Sequence, residues 1–280
     1  MKSDKNILIA FLLNLAFSLF ELIGGALTGS VAIVSDAFHD LADAVSIGLS
    51  YLLERKSRKQ PDNLYTYGYT RYSVLGSFLT MVILVVGSIL VVINAVHRFL
   101  NPVTIHYNGM ILFAIVGTLT NLIAAWLTRE GDSLNQKAVN LHMLEDVLGW
   151  LVVLTGAIIM RFVNIPILDP IMSIGVALFI LLHALKNLKQ ILDIFLEKVP
   201  KNVDMPRLLQ ELCHIPGVLD VHHVHLRSTD GIHLFATMHI VTDQEHHHIK
   251  DLVRQTLTAH EITHATLELE SPDEYCHHHG

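Results

Sequence analysis

The chain has 280 residues, of which 51% are hydrophobic and only 16% are charged. That balance is unusual for a soluble protein and ordinary for a membrane protein. The formal net charge is −7 and no basic stripe with interleaved aromatic residues occurs, which argues against binding to nucleic acid. Because nearly all long apolar runs precede residue 201, we predict a membrane-spanning domain over 1–200 and a small soluble domain over 201–280.

Six apolar stretches reach the length of about 20 residues that a spanning helix needs. They are Ile7–Leu27, Val31–Leu53, Val74–Val96, Met110–Leu127, Leu141–Phe162 and Ile167–Leu185. Lysine and arginine concentrate in the segments after the second, fourth and sixth stretches. The positive-inside rule then places both termini and the soluble domain in the cytoplasm. We expect no cleaved signal peptide, because the first stretch contains Glu21 and lacks a clear cleavage site.

Two of the predicted spans carry the same polar pair. His39 and Asp43 are four residues apart in the second span, and His142 and Asp146 in the fifth. On an α-helix this spacing puts both side chains on one face, about 6 Å apart. Ionisable groups inside a membrane are costly, so two identical pairs predict a shared role. Two imidazole nitrogens and two carboxylate oxygens suit a tetrahedral divalent ion, above all zinc.

Other functions would use these residues differently. A single pair is compatible with a polar contact between helices, but its repetition in a second span disfavours that interpretation. Haem held between His39 and His142 would not need an aspartate one turn after each histidine. An intramembrane metalloprotease would need H-E-x-x-H, which the segment from His142 to Asp146 does not supply. We expect Asp40 to support the ligands, and Asp36 to be structural or to line the vestibule of the site.

The soluble domain is predicted to have the element order αββαβ. The predicted elements are Pro206–His214, Val218–Arg227, Ile232–Thr242, Gln244–His260 and His264–Glu270, with a hairpin turn at Asp230-Gly231. Strand alternation predicts that His223 and His225 share one face of the first strand and that His222 lies on the other. The domain is rich in histidine, with fourteen of the chain's 19 at or after His214. Such a tail is typical of metal contact or pH sensing, or is simply solvated surface.

Several sequence strings resemble the cation diffusion facilitator family, and within it the zinc-transporting members. They are L-x-x-x-F-x-x-x-E-x-x-G-G from Leu13, G-S-V-A-I-V-S-D-A-F-H-D-L-A-D from Gly29, Y-G-Y-T-R from Tyr67, S-L-N-Q-K-A-V-N-L-H-M-L-E-D-V-L-G from Ser133, V-H-H-V-H-L from Val221 and H-A-T-L-E-L-E from His264. The resemblance covers almost the whole chain. It implies a membrane all-α six-helix transporter domain with a cytoplasmic α+β domain of metallochaperone-like fold, assembled as a homodimer.

The resemblance also implies a function. A transporter of this family, not an enzyme, would export a divalent metal from the cytoplasm across the cell membrane, by alternating access and in exchange for protons. Zinc is the expected ion, with cadmium or cobalt as alternatives. The transport site implied by position is His39, Asp43, His142 and Asp146. No G-x-x-x-x-G-K-[ST] string occurs, so we expect no ATP-driven step.

The resemblance implies further metal sites, which the sequence leaves open. Candidates for regulatory zinc at a dimer interface are His222, His239, Glu268 or Glu270, and His247 within the run His246–His248. Cys276 with His277–His279 could add ligands, or could be a flexible end. Many bacterial relatives also bind metal in the loop after the second span. Here Tyr65 and Tyr69 replace the expected histidines beside Asp62, so we predict that this loop site is absent.

Overall fold

The computed structural model of the chain describes residues 2–28, 31–101, 107–129, 133–163 and 168–274. The chain divides into two compact units, Met1–Ile191 and Leu192–Gly280. The predicted domain boundary after residue 200 falls within the second unit and stays a prediction.

Six long helices come first along the chain, and all but the last turn of the sixth lies in the first unit. They are α1 (Lys2–Thr28), α2 (Val31–Ser57), α3 (Arg71–Leu100), α4 (Tyr107–Thr128), α5 (Leu134–Val163) and α6 (Leu168–Phe195). Within the described residues, all but α2 contain a segment long and apolar enough to cross a membrane. The second helix is equally long but more acidic, since it carries Asp36, Asp40, Asp43 and Glu54.

The observed helices extend the predicted spans at their polar ends. The largest difference is at the end of α6, which runs to Phe195 rather than to the predicted Leu185. The next is at α5, which begins at Leu134 rather than at the predicted Leu141. Hydropathy places the start too late because Asn135, Gln136 and Lys137 are polar, although they belong to the first turn of the same helix. The extension matters because it continues the face of α5 that carries His142.

Packing of the helices brings α2 and α5 together. Helix α1 packs on α2 and α4, α4 packs on α5, and α3 packs on both α2 and α5. A small apolar cluster lies between α1, α2, α4 and α5, and consists of Ile7, Ala10, Ile47, Ala124, Ala125, Val139 and Met143. The opposite faces carry large exposed apolar side chains, including Leu52, Leu90, Leu119 and Leu182. That distribution is the one expected of helices surrounded by lipid.

The second unit confirms the predicted order αββαβ. It consists of α7 (Met205–Cys213), β1 (Val218–Ser228), β2 (Leu234–Thr242), α8 (His246–Ala259) and β3 (His264–Glu270). The sheet order is β1-β2-β3, with β1 antiparallel and β3 parallel to β2. Both helices contribute to one core with the sheet, through Leu208 and Leu212 of α7 and through Ile249, Val253 and Leu257 of α8. The opposite sheet face holds the histidines.

A β-bulge interrupts the first strand among its histidines. The register shifts between His222 and His225, and His223 has a φ of +49°. A bulge inserts an extra residue and breaks the alternation of side chains. The prediction that His222 and His223 point to opposite faces is therefore wrong, because the rings of both lie beside His239, with centroids 5.4 and 5.1 Å from it.

Candidate metal centres

The fold brings three of the four predicted transport ligands together. Asp43 of α2 and His142 and Asp146 of α5 offer ligand atoms that all lie within 4.8 Å of one another. His142 Nε2 is 3.6 Å from Asp43 Oδ1 and 3.8 Å from Asp146 Oδ2. The two residues of α5 share a face because they are one helical turn apart. The contact between α2 and α5 adds the third ligand.

The geometry of this cluster suits an ion better than it suits direct hydrogen bonds. His142 is almost completely buried, and neither ring nitrogen has a hydrogen-bond partner among the described residues. Buried polar atoms normally find a partner, so an orphaned imidazole suggests a ligand. In a tetrahedral zinc site with bonds of about 2.0–2.1 Å, neighbouring ligand atoms are roughly 3.3 Å apart. The observed separations are slightly longer, and small side-chain movements would close them around an ion.

The fourth predicted ligand, His39, has its backbone in α2, one turn before Asp43. Its side chain lies outside the described residues. Two further acids border the cluster: Asp40 hydrogen-bonds Glu21 of α1, and Glu145 is buried beside Asp146. Four carboxyl groups therefore lie at or beside this centre, and ionisable groups gathered inside a membrane segment are typical of an ion pathway.

A second cluster of potential ligands lies on the open face of the three-stranded sheet. Ligand atoms of His222, His239 and Glu270 lie within 4.8 Å of one another. The strand register brings these three side chains together. His222 of β1 is paired with His239 of β2, and His239 is paired with Glu268 of β3. Glu270 lies two residues after Glu268 and therefore on the same face of the sheet. These contacts are close: His239 Nδ1 is 2.5 Å from Glu270 Oε1, and His222 Nε2 is 3.2 Å from Glu270 Oε2.

Other predicted ligands stand in different relations to this cluster. Glu268 is 3.3 Å from His239 Nε2, so it borders the cluster on its exposed side. His247 instead pairs with Asp251 one turn along α8, at 3.2 Å, and its side chain is 82% exposed. The tail residues Cys276 and His277–His279 lie outside the described residues. The cytoplasmic ligand set that the structure brings together is thus smaller than the predicted one.

Comparison with known proteins decides the family. Residues 7–196 match the family model described as the cation efflux transmembrane domain. Residues 200–272 match the one described as the cation efflux protein cytoplasmic domain. The chain belongs to the cation efflux family. It is accordingly a multi-pass membrane protein that exports metal cations, and not an enzyme.

Similar proteins are found in several bacteria. The chain is 33% identical to the zinc transporter ZitB of Yersinia pestis over 96% of this chain and 88% of that protein. It is 34% identical to ZitB of Escherichia coli over 95% of this chain and 87% of that protein. It is also 29% identical to the cadmium, cobalt and zinc/H(+)-K(+) antiporter of Bacillus subtilis, over 96% of this chain and 89% of that protein.

The loop between α2 and α3 is organised by tyrosines and Asp62. Tyr69 donates its hydroxyl hydrogen bond to Asp62 Oδ2 at 2.6 Å, while the backbone amides of Leu64 and Tyr65 donate to Oδ1. The hydrogen bond from Tyr69 lowers the pKa of Asp62 and raises the pKa of Tyr69 to about 12. Both oxygens of Asp62 are thus engaged within the loop. The absence of a loop metal site stays a prediction.

One group of buried polar residues was not anticipated from the sequence. Glu54, Ser73 and Gln136 meet at the end of α2 that adjoins the loop, and all three are buried. The sequence does contain an indication of this group. Glu54 is the last acid of α2 before the basic run that begins at Arg55, and burying a carboxylate without partners costs free energy.

Proposed function

We propose that the protein exports zinc from the cytoplasm in exchange for protons, by alternating access. The convergence of Asp43, His142 and Asp146 between two spanning helices is the observation that carries this proposal. A mixed set of imidazole and carboxylate ligands suits zinc, and cadmium or cobalt would be alternative cargo. His39, one turn before Asp43, would complete a tetrahedral set.

Competition between metal and protons supplies the coupling. Zinc binds deprotonated ligands, so its arrival displaces protons and the return of protons displaces zinc. Imidazole changes charge near neutral pH, which lets a modest proton gradient drive the exchange. The same buried ligands would face the two sides of the membrane in turn, with protons entering as the metal leaves. ATP hydrolysis is not required for such a cycle.

The names of the relatives support zinc as the cargo. Two of the proteins to which the chain is most similar are named zinc transporters, and a third is named an antiporter of cadmium, cobalt and zinc. All three align along nearly the whole chain. We infer zinc first and the other two ions second, in agreement with the ligand chemistry.

The cytoplasmic unit would add regulation and assembly. The family model for cation efflux cytoplasmic domains matches residues 200–272. We propose that the sheet face that carries the histidines packs against a second protomer. We propose a homodimer in the cell membrane with both termini in the cytoplasm, as the distribution of lysine and arginine predicts. Zinc held by His222, His239 and Glu270 would bias the conformation of the dimer when the cytoplasmic concentration of zinc rises.

Transport in proteoliposomes tests the proposed site. His142→Ala should reduce zinc flux and the accompanying proton flux by at least about tenfold, since even residues that only support a metal ligand cost 10–100-fold. His183→Ala is the matched control, because this histidine also lies in a spanning helix but bonds only the Phe179 carbonyl of its own helix in the described structure. Zinc flux and internal pH would be followed together with zinc-sensitive and pH-sensitive dyes.

Circular dichroism and gel filtration establish that both variants are folded. Wild-type flux in His142→Ala would remove this residue from the transport site. Zinc flux without any proton flux in the wild type would leave the metal site standing and overturn proton exchange.

A further inference from the structure

A buried carboxylate joins three helices between the transport ligands and the loop side of the membrane unit. Glu54 of α2 is only 3% exposed. Its Oε2 accepts a hydrogen bond from Ser73 Oγ of α3 at 2.9 Å, and its Oε1 accepts one from Gln136 Nε2 of α5 at 3.5 Å. Arg58, one turn later and 38% exposed, lies 3.5 Å from Oε1. Each of these contacts is made by a side chain and can be broken without unfolding a helix.

A second polar layer lies one turn deeper. Asn135 Nδ2 of α5 donates a hydrogen bond to the backbone carbonyl of Ser50 in α2 at 2.8 Å. Ser50 Oγ is 2.6 Å from Thr80 Oγ1 of α3. Gly76 makes room for this layer, because an added Cβ there would lie 2.6 Å from Asn135 Oδ1. The same three helices are therefore tied twice.

Both layers lie on one side of the transport ligands. Ser50 follows Asp43 by seven residues, and Asn135 precedes His142 by seven, so each is about 10 Å along its helix from the ligand. The two helices run in opposite directions, and these offsets therefore point to the same end. Glu54, eleven residues from Asp43, lies about 16 Å from it along α2. This end adjoins the loop that the positive-inside rule places in the cytoplasm.

We infer that Glu54 with Ser73, Gln136, Ser50, Asn135 and Thr80 forms the cytoplasmic gate of the carrier, and that Glu54 holds it closed. This inference rests on the proposed alternating access. On this inference an ion that leaves the cytoplasm passes between α2 and α5 to reach Asp43 and His142, at the level where the two layers hold these helices together. A polar gate suits a hydrated cation, because water can replace each broken hydrogen bond as the helices part. The partly exposed Arg58 holds the outer edge of the carboxylate.

Accessibility of a thiol placed behind the gate tests this inference directly. Ser46 lies between Asp43 and Ser50 on α2 and is buried, so Ser46→Cys in a full-length chain with Cys213→Ser and Cys276→Ser provides a reporter. A charged, membrane-impermeant maleimide is added from the cytoplasmic side of oriented vesicles. Loss of hydrogen bonds to a charged group should raise the open population, and with it the labelling rate of Glu54→Ala, by about tenfold.

The matched control is Ser57→Ala. Ser57 is buried at the same end of α2, but its hydroxyl bonds only the Glu54 carbonyl of its own helix among the described contacts. Its labelling rate should equal that of the parent. Glu54→Gln keeps the shape of the side chain and its bond from Ser73 but loses the charge, so it should label at an intermediate rate. If Glu54→Ala does not fold, Glu54→Gln decides the question.

Equal labelling of the parent and of the folded Glu54 variants would overturn the gate. The result is independent of transport, because labelling requires no zinc. A gate that fails while His142→Ala abolishes flux would leave the proposed function intact. Faster labelling in Glu54→Ala, combined with no metal flux in the wild type, would retain the gate and overturn the proposed function.

Discussion

Histidine–carboxylate contacts differ between the two clusters of potential metal ligands. In the membrane unit, His142 Nε2 is 3.6 Å or more from both aspartates, too far for a good hydrogen bond. In the cytoplasmic unit, His239 and Glu270 are already in hydrogen-bond contact, and His222 Nδ1 is 2.9 Å from Asp220. Zinc must displace these contacts to bind. The ligand atoms of the membrane cluster are thus separated enough to admit an ion between them, whereas those of the cytoplasmic cluster already contact one another.

Tyr69 and Asp62 provide a pH test of the loop between α2 and α3. The raised pKa of Tyr69, about 12, means that its neutral form is favoured by the folded loop, so the bond to Asp62 is lost as the pH rises through that value. The lowered pKa of Asp62 means that the bond is also lost as the pH falls through the acidic range. Between these limits the loop should keep its structure.

Ultraviolet titration of tyrosinate measures the effect. Tyr69→Phe should remove a component that ionises near pH 12 in the wild type. Asp62→Asn should shift that component down toward the ordinary tyrosine value of about 10. An unchanged high-pH component in both variants would mean that Tyr69 is not the late-titrating group.

At the scale of the elements, the sequence predicted the type and order of the helices and strands better than it predicted their ends and irregularities. Apolar runs predicted six helices, and alternation with the Asp230-Gly231 turn predicted αββαβ, because burial sets both periodicities. The early start of α5 at Leu134 was missed because a polar face packed against other helices has the composition of a loop. The bulge at His223 was missed because one inserted residue leaves the composition of a strand unchanged. The joining of Glu54 to α3 and α5 depends on tertiary contacts that no local pattern records.

Glycine in α4 tests the packing of neighbouring spans. A Cβ at Gly117 would lie 2.6 Å from the indole of Trp150 in α5, whereas one at Gly109 of the same helix would meet nothing within 4 Å. Alanine favours a helix by about 1 kcal/mol over glycine. Both substitutions therefore gain helix propensity, but only the one at Gly117 adds a steric clash. Gly117→Ala should lower the melting temperature in detergent, while Gly109→Ala should leave it unchanged or raise it. Equal melting temperatures would mean that Trp150 moves aside without cost.

At the scale of the whole molecule, two compact units each carry a cluster of potential metal ligands. The meeting of Asp43, His142 and Asp146 was predictable, because ionisable side chains are costly inside a membrane and are therefore expected to face one another. The cytoplasmic cluster was predictable only as a set of candidates. An exposed histidine costs little free energy and so carries no signal by itself, and strand register decides which histidines lie together. His247 illustrates the difference: its position in a histidine run suggested a ligand, yet it pairs with Asp251 on its own helix.

Two separate clusters predict two separable classes of bound zinc. Calorimetric titration of the full-length protein in detergent should resolve both in the wild type. His142→Ala should remove the class that belongs to the membrane unit, and Glu270→Gln should weaken the other by about tenfold or more. His247→Ala should change neither, because its side chain lies away from both clusters in the described structure.

Chelation should then lower the hydrogen-exchange protection of β1 and β3, since zinc at 100 times its dissociation constant stabilises the state that binds it by about 2.7 kcal/mol. Loss of both classes in either variant would mean that the two units bind zinc as one coupled site.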